Sequence, residues 1–102
     1  MTRTLLNLGV DPSKKGFEYL QEALRNLQED PHIKITVLYD KIAKKFGSNH
    51  RAVERCMKTS ISKAMLNGDT ALQSTIFGHV YTGTPTASTF LHCLRIYLEA
   101  HK

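Results

Sequence analysis

Four residues in the middle of the chain restrict its fold more than any others: Ala43, Gly47, Val53 and Cys56. A small residue, a glycine four positions later, and apolar residues six and nine positions after that glycine match two helices joined by a tight turn. The turn needs a residue that tolerates positive φ, and Gly47 supplies it. The first helix needs a small side chain where the second crosses it, and Ala43 stands there. The second helix needs inward apolar residues, which Val53 and Cys56 provide. The spacing predicts a helix-turn-helix over about residues 36–67. An ordinary helical hairpin built from the same residues is the alternative.

The second of these helices can be tested by angle. With Val53 at zero and about 100° per residue, Val53, Cys56, Met57, Ser60, Ile61 and Ala64 fall within about 80° of one direction. Arg51, Arg55, Lys58 and Ser62 fall on the opposite side, at roughly 140° to 200°. Glu54 and Thr59 flank them. One face is core and the other is a basic, hydrogen-bonding strip. Such a strip suits the major groove, where arginine makes bidentate contacts to guanine and glutamate accepts from cytosine N4. Arg51, Glu54, Arg55 and Lys58 are therefore the candidate base contacts. The alternative is a solvated amphipathic helix in which Glu54 and Lys58 form a surface pair.

The charge distribution points the same way. Residues 34–63 hold eight basic residues and two acids, a net of +6, while the rest of the chain is close to neutral at −1 and the whole carries +5. A neutral body with one basic segment points to a polyanionic partner, double-stranded DNA first, against a merely exposed basic face. Lys41, Lys44 and Lys45 lie on the helix that crosses the DNA backbone in this geometry and are candidate phosphate contacts. Ser48 or Asn49 is placed to cap the second helix, whose N-terminus favours a phosphate. His50 and Ser62 complete the expected phosphate set.

Elsewhere the periodicity is helical. Phe17, Leu20, Leu24 and Leu27 mark one face of a helix ending near Asp30-Pro31. Thr36 is expected to cap a short helix with Leu38, Ile42, Ala43 and Phe46 inside. The long helix is expected from about Asn49 to Asn67, with Gly68 as its stop. Asp69 or Thr70 starts a further short helix carrying Leu72 and Ile76. Phe90, Leu91, Leu94, Tyr97 and Leu98 form a last stripe. No segment of useful length alternates with period two, apart from a short extended candidate at His79–Thr82. The first ten residues carry the weakest signal. The fold expected is all-α, one domain over 1–102 with five or six helices.

Asp40-Lys-Ile-Ala-Lys-Lys-Phe46 followed by Arg51-Ala-Val-Glu-Arg55 resembles the C-terminal DNA-binding effector domain of the sporulation master response regulator of endospore-forming bacteria. The likeness covers nearly the whole chain. Leu5-Leu6-Asn7-Leu8-Gly9-Val10 is similar to that domain's opening, Lys15-Gly-Phe-Glu-Tyr-Leu20 to its Lys-Gly-Tyr-x-Tyr-Leu, and Phe77-Gly78 and Pro85-Thr86 to its later landmarks. Arg95 to His101 resembles its last helix. The resemblance implies a six-helix domain that binds TGTCGAA-like promoter elements, often as tandem copies, and regulates transcription. It carries roles in the recognition helix over to Glu54, Arg55 and Lys58. Two departures stand out. The family has arginine where this chain has Ala52, and the loop Thr82-Gly83-Thr84 lacks the family's lysines.

The remaining features exclude other classes. No apolar stretch approaches the ~20 residues of a membrane span, and no signal peptide is legible. Ser60-Ile-Ser-Lys63 fits an acyl-enzyme pattern, but Ser60 falls on the core face and the companion motifs are absent. His92 and Cys93 point about 100° apart on a helix and make a poor metal pair. Cys56 and Cys93 read as core. No enzymatic activity, cofactor or metal is expected. The expectation is a cytoplasmic protein that is monomeric alone, pairs only on adjacent DNA sites, binds without phosphorylation because the family's receiver domain is absent from this chain, and has RNA polymerase as a further partner. The rival reading is a protein-interaction module that docks its basic helix on an acidic partner.

Overall fold

The computed structural model describes residues 2–77 and 85–101, and His79–Thr82 and the 82–84 loop lie outside them. Six helices follow in order: α1 (Thr2–Asn7), α2 (Lys15–Glu29), α3 (Ile35–Phe46), α4 (His50–Asn67), α5 (Thr70–Phe77) and α6 (Ala87–Ala100). Among the described residues there is no strand. No helix is long and apolar enough to cross a membrane.

The helices form where the apolar spacing places them. Phe17, Leu20, Leu24 and Leu27 are all buried on α2, as are Leu38, Ile42 and Ala43 on α3. Val53, Met57, Ser60, Ile61 and Ala64 form the inner face of α4, and Phe90, Leu91 and Leu94 that of α6. The long helix α4 packs against α2, α3 and α6, so its inner face is the middle of the core. Polar caps set several starts. Asn49 Oδ1 accepts from the Ala52 amide at 2.9 Å, and Thr86 Oγ1 accepts from the Thr89 amide at 3.1 Å. Asp69 Oδ1 accepts from the amides of Ala71 and Leu72, opening α5.

Several expectations need correction. Thr36 does not cap α3: the helix starts one residue before it, and the cap position is Lys34, which makes no side-chain cap bond. Phe46 is 38% exposed, because it ends α3 at the rim and covers only one side of its ring, edge-on to Tyr19 at 5.3 Å. Cys56, Cys93, Leu72, Tyr97 and Leu98 are half-buried at the margin of the core.

Gly68 does end α4, but for a different reason from the one its position suggests. Its φ is −86°, open to any residue. A Cβ there would collide with the Leu8 carbonyl oxygen and stand 2.8 Å from that of Ala64. The chain turns at Gly9, with φ +98°, and brings its backbone against the end of α4. That contact holds Leu5, Leu8 and Val10 in the core, all at most 2% exposed.

Candidate nucleic-acid interface

The turn between α3 and α4 is built on Gly47, at φ 63° and ψ 37°. This is the left-handed conformation in which a Cβ is costly. The Ser48 amide then donates to the Ala43 carbonyl at 2.8 Å, and Asn49 caps α4. Ala43, which makes that bond and is buried, lies where the two helices of the motif meet.

With its inner face fixed in the core, α4 turns Arg51, Glu54, Arg55 and Lys58 outward, all exposed. Arg51, Arg55 and Lys58 have no ion-pair partner among the described residues. Ser62, half-buried, continues the line, and it makes an interaction of its own. The structure thus gathers the four candidate base contacts on one ridge. Ala52, where the resembling family carries arginine, is half-buried beside it.

The candidate phosphate contacts divide. Lys41 and Lys44 are exposed on α3, as is Asn49 at the cap. Lys45 is engaged elsewhere: its Nζ donates to both carboxylate oxygens of Glu22 on α2, at 3.1 and 2.7 Å. Glu22 is only 8% exposed. Burial pushes its carboxyl up, but hydrogen bonds from Arg25 and Lys45 outweigh that and hold it below the ordinary value. His50 is also engaged. Its Nδ1 lies 3.0 Å from Asp40 Oδ1 and its Nε2 3.7 Å from Glu54 Oε2, tying the start of α4 to α3. Its ring stands edge-on to Tyr39 at 5.1 Å. Burial, and then the charge of Glu54, raise the Tyr39 phenol above its ordinary value, so it remains a neutral hydroxyl.

Two clefts border the ridge. On one side Glu54 and Lys58 face Thr86 and Ser88 at the start of α6, across a cleft of about 350 Å³. On the other side Arg55, Thr59 and Lys63 face Lys14 and Lys15 at the start of α2. Nothing local in the sequence joins this second group to the ridge. Its only local signal was the Lys14-Lys15 doublet, which lies forty residues from Arg55.

What this arrangement can do chemically is limited and specific. It presents an exposed cationic helix with free hydrogen-bond donors, between the uncapped start of α2 and the start of α6, which Thr86 caps. A comparison with protein-family models gives a match over residues 1–98 to the family described as sporulation initiation factor Spo0A C terminal.

Proposed function

The chain belongs to the Spo0A C-terminal family of sporulation transcription-factor DNA-binding domains, which is a regulatory family and not an enzyme family, and from that premise we propose that α4 enters the major groove and reads TGTCGAA-like promoter elements. The observation that carries this reading is the ridge of Arg51, Arg55 and Lys58, exposed and without ion partners among the described residues, directly after a left-handed turn at Gly47. Arginine on such a ridge offers a bidentate pair of donors to guanine O6 and N7, and Glu54 accepts from cytosine N4. Lys41, Lys44 and the amides at the start of α4 contact phosphates and set the position of the helix in the groove. Residues 1–102 act as one DNA-binding domain, with the helix-turn-helix at about 36–67. It is a monomer free in solution that pairs on adjacent sites, and RNA polymerase is its partner at the promoter.

The test is a titration with a TGTCGAA duplex and a scrambled duplex at the same salt concentration. The wild-type domain should prefer the first. Arg55→Ala should cost about 1–3 kcal/mol on the first and little on the second. Equal losses on both would make Arg55 a phosphate contact. Equal wild-type affinity for both would favour a protein-interaction role for the basic helix.

A further inference from the structure

The cleft between α2 and α4 has a volume of about 370 Å³. Its charged lining is Lys14, Lys15, Arg55 and Lys63 against the single acid Asp11, a net of +3. We propose that this cleft is a seat for one phosphate group, and that in the DNA complex it holds a backbone phosphate at the edge of the groove that α4 enters. The proposal rests on the DNA-binding reading above and extends it to residues outside the helix-turn-helix.

Three observations converge there. The first is the charge, which lies on two helices far apart in sequence and gathers at one point. The second is the start of α2. This helix has fifteen residues, its cap residue Lys14 is extended, and no side chain caps its first amides. Unsatisfied amides and the positive end of the helix dipole both favour an anion. At the start of α6, across the ridge, Thr86 already accepts from the Thr89 amide.

The third observation is Ser60. It is 7% exposed and lines the cleft. Its hydroxyl makes no hydrogen bond to another described residue and keeps its access to the cleft, so it is free to donate there. A Cβ on Gly16 would collide with the Ser60 Oγ and stand 2.6 Å from the Cys56 carbonyl oxygen. The hydroxyl therefore packs against the first turn of α2, in space that residue 16 leaves to it only as glycine. The Ser60 hydroxyl, the first amides of α2 and the ammonium groups of Lys14, Lys15 and Lys63 are the donors for one tetrahedral oxyanion, and Arg55 at the edge of the cleft is left to the base.

Asp11 opposes an anion, but its charge is already engaged. One of its oxygens accepts from the Ser13 amide at 2.9 Å and from the Ser13 hydroxyl at 2.7 Å. Those bonds, aided by the nearby charges of Lys14 and Lys63, hold its carboxyl below the ordinary value.

The experiment has two arms, which separate a backbone phosphate from a free one. In the first, the free domain is titrated with inorganic phosphate against chloride at constant ionic strength, and amide shifts are followed by NMR. The amides of Lys15 and Gly16 should move together, and Ser60→Ala should weaken the response several-fold. In the second, binding to TGTCGAA and scrambled duplexes is measured across salt for wild type, Lys14→Gln/Lys15→Gln and Ser60→Ala, with folding checked by circular dichroism. The lysine double variant should lower the slope of log K against log salt by about 0.9 on both duplexes, the value for one lost phosphate contact. Ser60→Ala should weaken both duplexes equally, by several-fold.

An unchanged slope would overturn the backbone assignment even if inorganic phosphate binds. Unchanged slopes with no amide shifts would overturn the seat altogether. A wild type with no preference for TGTCGAA would refute base reading by α4, while a slope reduced on both duplexes would still support the seat.

Discussion

Two glycines border α4, and alanine meets a different obstacle at each. Gly47 needs its backbone conformation. Its φ is 63°, and nothing lies within 4 Å of where a Cβ would stand. Gly47→Ala therefore meets only the left-handed penalty, roughly 1–2 kcal/mol. The more restricted unfolded chain returns roughly 0.4–1 kcal/mol of that, leaving a net loss of about 1 kcal/mol. Gly47→Asn should lose less, because asparagine tolerates this region.

Gly68 has an ordinary φ and no room. Its Cβ would stand against the Leu8 carbonyl, 2.5 Å from the carbon and closer to the oxygen, and 2.8 Å from the Ala64 oxygen. Backbone atoms give way only if the turn at Gly9 moves, and Leu8 then loses its place in the core. Overpacking of this kind costs about 1–3 kcal/mol, and the displaced leucine puts Gly68→Ala at the upper end. Urea unfolding followed by circular dichroism measures both. For a domain of about this size, each kcal/mol corresponds to a midpoint shift of roughly 4–8 °C in a thermal scan. Gly47→Ala costing more than Gly68→Ala would refute the reasoning. So would a Gly68→Ala loss below that of Gly47→Asn.

Lys41→Gln and Lys44→Gln should each lower the salt slope of duplex binding by about 0.9, whereas Lys45→Gln should lower it less, since Lys45 pairs with Glu22; an unchanged slope in the Lys41/Lys44 double variant would remove both from the interface. Ala52→Arg restores the resembling family's side chain beside the ridge and should raise affinity for TGTCGAA, while a fall would mean that this chain reads a different base there or that Arg51 already fills that space. Glu22→Gln should cost about 1 kcal/mol at neutral pH, a figure kept small because Arg25 and Lys45 are half exposed. The folded carboxyl titrates below its ordinary 4.5, so its contribution is complete above that value and is lost as pH falls through the folded one. Chemical denaturation at neutral and strongly acid pH should show the wild-type advantage closing on acidification, and a constant gap would refute the assignment.

The features legible in the sequence are those set by local geometry. Helical period follows from about 100° per residue, so the inner faces of α2, α4 and α6 could be read from leucine, valine and phenylalanine spacing. The outward direction of Arg51, Arg55 and Lys58 follows from the same angle once Val53 is placed inside. Gly47 and a cap at Ser48 or Asn49 were legible for a related reason, since a left-handed turn and a side-chain cap involve only near neighbours in the chain, and the structure places the cap at Asn49. The tertiary structure decided what depends on residues distant in sequence. Leu5, Leu8 and Val10 belong to a segment too short to show a period, and their burial rests on Gly9 meeting Gly68. Lys45 turns to Glu22, twenty-three positions away, because α2 passes beside the end of α3. Ser60 and Gly16 share a space that neither residue implies alone. Helix direction is written in a few adjacent side chains, whereas the room around an atom, and the partner a charge finds, are set by whichever segment the completed core brings next to it.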